Sequence, residues 1–142
     1  RGHLKAEILY EVRAGLRISA AEVYEASAIR TAWLQAMQKL FASHDFLIAP
    51  SSQVFPFEVD VPWPRSIAGR AMDTYHRWME VVIGPSMAGL PVAALPAGFS
   101  DQGLPNGFQL IGPPRADQAV LSLAATYEGA TDFLKQMPPL TG

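Results

Sequence analysis

The sequence predicts an α/β layer structure. Three observations carry that expectation: short apolar runs at 46–49, 91–96 and 107–112 bounded by turn formers, longer stretches of helical period around them, and 49% apolar against 17% charged residues. The length of 142 residues matches one domain. Proline and glycine are lopsided. All twelve prolines lie at or beyond Pro50, as do nine of the eleven glycines. Residues 1–49 therefore read as helical, and 50–142 as strands, loops and two helices.

Leu4, Ile8, Leu9, Val12 and Leu16 fall at helical spacing, which predicts a helix over 4–14. Gly15 is placed to stop it in the left-handed conformation. Ser19-Ala-Ala-Glu22 has capping-box spacing, and Val23, Ala26, Ile29, Trp33, Met37, Leu40 and Phe41 continue a long helix to about residue 43. Phe46–Ala49 suits a strand buried on both faces. The stretch 50–69, with four prolines and no sustained period, reads as a functional or covering loop. Met72, Tyr75, Trp78, Met79 and Val82 predict a helix that Gly84-Pro85 ends. Pro91–Pro96 reads as a buried strand, Ser100–Gly103 as a turn, Gly107–Gly112 as another strand, and Asp117–Glu128 as the last helix. An irregular tail with Pro138-Pro139 follows. Three such strands would leave two open sheet edges, so more sheet or a second copy is expected beside them.

Several chemistries are excluded or weakened. The net charge of −2 gives no broad basic footprint for nucleic acid or anionic membrane, and no apolar run reaches the length of a membrane span. With no cysteine, thiolate metal sites and a cysteine nucleophile are absent, which suits a cytoplasmic setting. His3 and His44 are isolated. His76 and Glu80 share a helix face, but a surface pair outweighs a metal site. No metal or cofactor is expected. Ser51, Ser52, Ser86 and Ser100 lack a Gly-x-Ser-x-Gly elbow, so hydroxyl-capped turns outweigh a nucleophile. Ser86 reads as the cap of a turn after Pro85. Trp63, Tyr75, Trp78 and Phe99 are candidates to line a pocket, although Tyr75 and Trp78 also suit a core. Arg65 and Arg70 are candidates to fix a carboxylate, against a solvated surface role.

Ala88-Gly-Leu-Pro-Val-Ala-Ala-Leu-Pro-Ala-Gly-Phe99, followed by Gly103-Leu-Pro-Asn-Gly-Phe-Gln-Leu-Ile-Gly-Pro-Pro114, closely resembles the C-terminal region of amidase signature enzymes. Asp45–Ser51 resembles that family's Asp-x-Leu-(Leu/Ile)-x-Pro-Thr, and Tyr24, Ser27 and Arg30 in the helix after Ser19 resemble its Tyr-x-x-Ala-x-x-x-Arg with some slippage, serine standing for alanine and the arginine one residue early. Ile67–Arg70 and Met72–Met79 look like bacterial members of the family, and Leu121, Ala124 and Glu128 fit its following helix.

The resemblance implies that residues 1–142 are the C-terminal portion of a single amidase signature domain, a mixed sheet flanked by helices. It also implies hydrolysis of a C–N amide bond by a Ser–cis-Ser–Lys triad from a Gly/Ser-rich N-terminal region. No such segment occurs in the sequence, and Lys5, Lys39 and Lys135 are its only lysines. The expectation is therefore a fragment inactive alone, with no catalytic residue in this chain. Trp63, Tyr75, Trp78 and Met79 are its substrate-binding candidates for a small amide in the full-length enzyme. Partner expectations are the N-terminal part or self-association over the sheet edges. Ala116 stands where members resembling the glutamyl-tRNA amidotransferase A-type chain carry an aspartate, which favours a general amidase over an amidotransferase component. The remaining alternative is a non-catalytic interaction module derived from the same fold.

Overall fold

The computed structural model describes residues 4–136, so His3 and the Pro138-Pro139 tail lie outside the described residues. Helices α1 (Ala6–Gly15) and α2 (Ala20–Phe41) lead to strand β1 (Leu47–Pro50). A hairpin of β2 (Ser66–Ile67) and β3 (Arg70–Ala71) precedes helices α3 (Tyr75–Trp78) and α4 (Glu80–Ala88). Strands β4 (Val92–Phe99) and β5 (Pro105–Ile111), helix α5 (Asp117–Ala130) and a single 3₁₀ turn (Phe133–Lys135) complete the order. The main sheet runs β1-β5-β4, and both pairings are antiparallel.

The capping box forms as expected. Glu22 N–H donates to Ser19 Oγ at 3.2 Å, and Ser19 N–H donates to Glu22 Oε2 at 2.8 Å. Gly15 differs from expectation. It is the last helical residue, and Leu16 follows in the right-handed region with φ −67°. The left-handed stop occurs instead at Gly89, with φ 64°, after α4.

Pro85 does not end its helix. A proline removes the N–H that would reach the carbonyl four residues back, here Val81. That carbonyl instead accepts from Gln109 Nε2 at 3.1 Å, and α4 runs on to Ala88. The same Nε2 donates to Pro50 O at 2.8 Å, so one amide ties β5, the end of β1 and α4. Gln109 is only 4% exposed, and its burial is matched by these bonds. Ser86 lies inside α4 and donates to Val82 O at 3.0 Å, so it caps no turn. The expected single helix over 72–84 is broken at Met79 (φ −93°, ψ 4°). The carbonyls of Arg77 and Trp78 freed by that break both accept from Gln53 Nε2.

The sheet is covered unequally. On one face Leu95 and Leu110 pack with Val120 and Ala124 of α5, joined by Phe108 and Tyr127. On the other, Ile111 packs with Ala88 and Leu90, joined by Leu34, Met37 and Phe41 of α2. α2 also grips α4 through polar bonds: Trp33 Nε1 donates to Gly84 O at 2.8 Å and Arg30 Nε to Met87 O at 2.7 Å. β1 is not buried on both faces as expected. Ile48 lies opposite Leu110 on the α5 side and is 72% exposed. Leu121, aligned with the apolar face of α5 in the sequence, is 66% exposed. Neither α1 nor α2 has a buried residue.

The chain exposes 10667 Å² at 15.4 kDa. A compact monomer of that mass exposes roughly 7,200 Å². β1 and β4 are also unpaired on their outer sides within the described residues. No helix among the described residues is long and apolar enough to cross a membrane.

Gln109→Leu is expected to orphan the carbonyls of Val81 and Pro50 together and to lower stability by about 2–3 kcal/mol, read from urea unfolding. Ala68 sits in the left-handed region (φ 48°) at the β2–β3 turn. Ala68→Asn, which suits that turn, is expected to raise stability by up to about 1 kcal/mol in the same measurement.

Candidate functional site

The loop expected over 50–69 contains part of the β2–β3 hairpin, whose two-residue turn uses Ala68 and Gly69, both at positive φ. The hairpin returns the chain from Trp63 to Met72, which is 2% exposed. Trp63 Nε1 donates to Met72 O at 3.1 Å, and Met72 N–H donates to Arg65 O at 2.9 Å. α3 begins at Thr74, whose Oγ1 accepts from Arg77 N–H at 3.2 Å. This brings Tyr75 edge-on to Trp63, with ring centroids 6.0 Å apart and planes at 79°.

The four candidate binding residues do not share one site. Trp63 and Tyr75 line a cleft of about 300 Å³ against α1, with Tyr10, Glu7, Glu11, Asp73 and His76. Trp78 lines a second cleft, of about 290 Å³, between the 51–57 segment and Pro105–Gly107. There Phe57 meets Trp78 edge-on at 5.6 Å. The buried Trp78 Nε1 has no hydrogen-bond partner among the described residues. Met79 lines neither cleft and forms the break between α3 and α4. Phe99, at the end of β4, likewise stands apart from both clefts.

The charged candidates are engaged elsewhere. Arg70 pairs with Glu80 at 2.8 Å, and Arg65 stacks over Trp63 with its guanidinium carbon 4.5 Å from the ring. His76 Nδ1 meets Glu11 Oε1 of α1 at 3.5 Å, so His76 and Glu80 do not act as a pair. Among the described residues no group of three or more His, Asp or Glu is placed to hold a metal ion. His44 Nδ1 lies 3.1 Å from Leu40 O at the end of α2. The hydrogen bond from Arg77 holds the Asp73 carboxyl below its ordinary range, and the same bond raises Arg77.

The serines have turn roles. Ser52 Oγ donates to Val54 O at 2.8 Å, and Ser100 Oγ accepts from the N–H groups of Gln102 and Leu104 at 3.2 Å. Ser51 packs against Gly107. A Cβ there would stand 2.7 Å from Ser51 Oγ and 2.9 Å from Leu95 O, so the second cleft depends on glycine at that position. The clefts' aromatic members are visible in the sequence. The share that α1 contributes is not, because Glu7 and Tyr10 reach Trp63 only through the tertiary fold.

A family model described as Amidase matches residues 7–121. The chain is 36% identical over 118 residues to the A-type chain of the glutamyl-tRNA(Gln) amidotransferase of Streptococcus equi subsp. zooepidemicus (strain H70), covering 83% of this chain and 23% of that protein. It spans about a quarter of the length of the curated relatives it matches. Among solved structures, a bacterial aryl acylamidase of the amidase signature family superposes with TM-score 0.83 at 27% identity, over 95% of this chain and 28% of that one. The A-type amidotransferase chain from Thermotoga maritima gives 0.61 at 25% identity, over 92% and 29%.

Because Asp73 is lowered, the ion pair's contribution is present above the ordinary aspartate value of 3.8 and is lost as pH falls through the lowered one. Arg77→Met is expected to return the Asp73 titration to about that ordinary value, read from its carboxyl NMR shift against pH.

Proposed function

The chain belongs to the amidase family, matching its C-terminal part, and from that premise we propose that it serves as one segment of an amide-hydrolysing enzyme. The reaction is cleavage of a C–N amide bond to carboxylate and amine. Residues 1–142 contribute packing and a substrate wall, and the Ser–cis-Ser–Lys triad comes from sequence outside them. The observation that carries this is the uncovered surface. Helices α1 and α2 have no buried residue, two sheet edges are open among the described residues, and the chain exposes 10667 Å². Such a surface suits a segment covered by the rest of a domain or by a second copy.

The substrate wall in this reading is Trp63 and Tyr75 in one cleft and Trp78 in the other, with Met79 as the joint that sets their relative direction. The unpartnered Trp78 Nε1 adds a donor with no acceptor among the described residues. A small aryl or alkyl amide is the substrate class favoured by the aromatic lining and by the closer superposition on an aryl acylamidase. Ala116, in place of the aspartate that the resemblance assigns to amidotransferase members, points the same way. The 36% identity to the streptococcal amidotransferase chain supports a second reading, in which the segment belongs to an amidotransferase-type protein acting on glutamine. The cysteine-free composition accords with a cytoplasmic setting.

The isolated chain is expected to release no amine from aryl amides or glutamine, and to become active when an amidase N-terminal segment is co-expressed with it. Trp78→Ala in that completed enzyme is expected to lower kcat/KM roughly tenfold. Turnover by the chain alone that is abolished by Ser51→Ala or Ser52→Ala would overturn the proposal. A completed enzyme that prefers glutamine to aryl amides would select the second reading.

A further inference from the structure

The cleft between α1 and the start of α3 carries a charge pattern that the substrate-wall reading leaves unused. α1 presents Glu7, Tyr10 and Glu11 from one helical face, and Trp63 and Tyr75 stand across from them. Of the cleft's carboxylates, Glu11 is engaged by His76 at 3.5 Å and Asp73 by Arg77 at 2.7 Å. Glu7 is half-buried and has no cationic partner among the described residues. The volume of about 300 Å³ lies at the small end of sites for small molecules.

We propose that this cleft binds a small organic ammonium group, with its charge set against Glu7 and its carbon substituents against Trp63, Tyr75 and Tyr10. Aromatic faces beside a carboxylate match an organic cation on both counts. Glu7 supplies the opposite charge, the Tyr75 and Tyr10 rings attract positive charge, and Trp63, against whose ring Arg65 already stacks at 4.5 Å, adds apolar contact that excludes water from the alkyl groups. An anion would meet the carboxylate of Glu7, which has no cationic partner among the described residues. A hard metal ion needs several converging oxygen ligands, and among the described residues no three carboxylates are placed to hold one. A purely apolar ligand would leave Glu7 half-buried with no compensating charge. The inference rests on Trp63 and Tyr75 facing a ligand, and it names the ligand class for that part of the wall. In an amide hydrolase the class includes an alkylamine released from an alkyl amide, protonated at neutral pH, and substrates carrying a separate ammonium group, whereas an arylamine would leave as the neutral base.

The test is calorimetric titration of the 142-residue chain with choline chloride at fixed ionic strength, beside 3,3-dimethylbutanol, in which carbon replaces the nitrogen. Choline is expected to bind saturably and to shift the Trp63 indole signal in NMR. The uncharged alcohol is expected to bind roughly tenfold more weakly. Glu7→Gln is expected to weaken choline about threefold to tenfold and to leave the alcohol unchanged. Equal affinity for the two probes, absence of saturable choline binding, or indifference of choline to Glu7→Gln would each overturn the proposal. The titration involves no turnover, so a failed amidase assay leaves a positive result standing. A negative result here leaves the hydrolysis reading to its own assay.

Discussion

The side-chain amide of Gln109 is the constraint on which the rest of the structure depends. Pro85 in the middle of α4 removes a helical hydrogen bond, and an unsatisfied carbonyl in a packed interior is costly. Gln109 supplies the missing donor from the central strand and bonds the end of β1 at the same time. The position of α4 on the sheet is thereby fixed by a polar contact with defined direction. Apolar packing through Ala88, Leu90 and Ile111 then fills in around it. α3 follows from α4 across the Met79 break, and Gln53 holds that break from the far side. Tyr75 and Trp78, which face the two clefts, thus take their places from two glutamine side chains.

The remainder of the molecule leaves much of its apolar surface exposed. α5 seals β4 and β5 on one face but leaves Ile48 of β1 bare. α2 reaches α4 with an indole N–H and a guanidinium as well as Leu34, Met37 and Phe41, while Val23, Tyr24 and Ile29 stay exposed. The three-stranded sheet and its helices form a recognisable part of the amidase architecture, as the superposition over 95% of the chain shows. The arrangement leaves a large apolar surface exposed.

Much of this is legible in the sequence where the physics is local. The Ser19–Glu22 box, the Ser100 turn and the two long β-strands all follow from short-range spacing. The family resemblance likewise rests on closely spaced glycines and prolines. Where the structure departs from local expectation, one cause recurs, a distant partner that overrides a local rule. Pro85 reads locally as a helix end, and Gln109 removes the reason for one. His76 and Glu80 sit one turn apart, yet each finds its partner elsewhere, Glu11 for His76 and Arg70 for Glu80. The β2–β3 hairpin is hidden because its strands are two residues long and its turn places alanine where asparagine is usual. The aromatic residues of the site are visible as residue types. Their division between two clefts is not, because it follows from the break at Met79 and the approach of α1.

Hydrogen exchange on the chain, alone and with an amidase N-terminal segment added, tests most directly whether these faces exist to be covered. Rapid exchange is predicted at the outward amides of β1 and β4 in the dispersed chain. Addition of the segment is predicted to protect those amides strongly, alongside the amides of α1 and α2. A monodisperse monomer whose edge amides are already protected, and in which the added segment changes nothing, would contradict it.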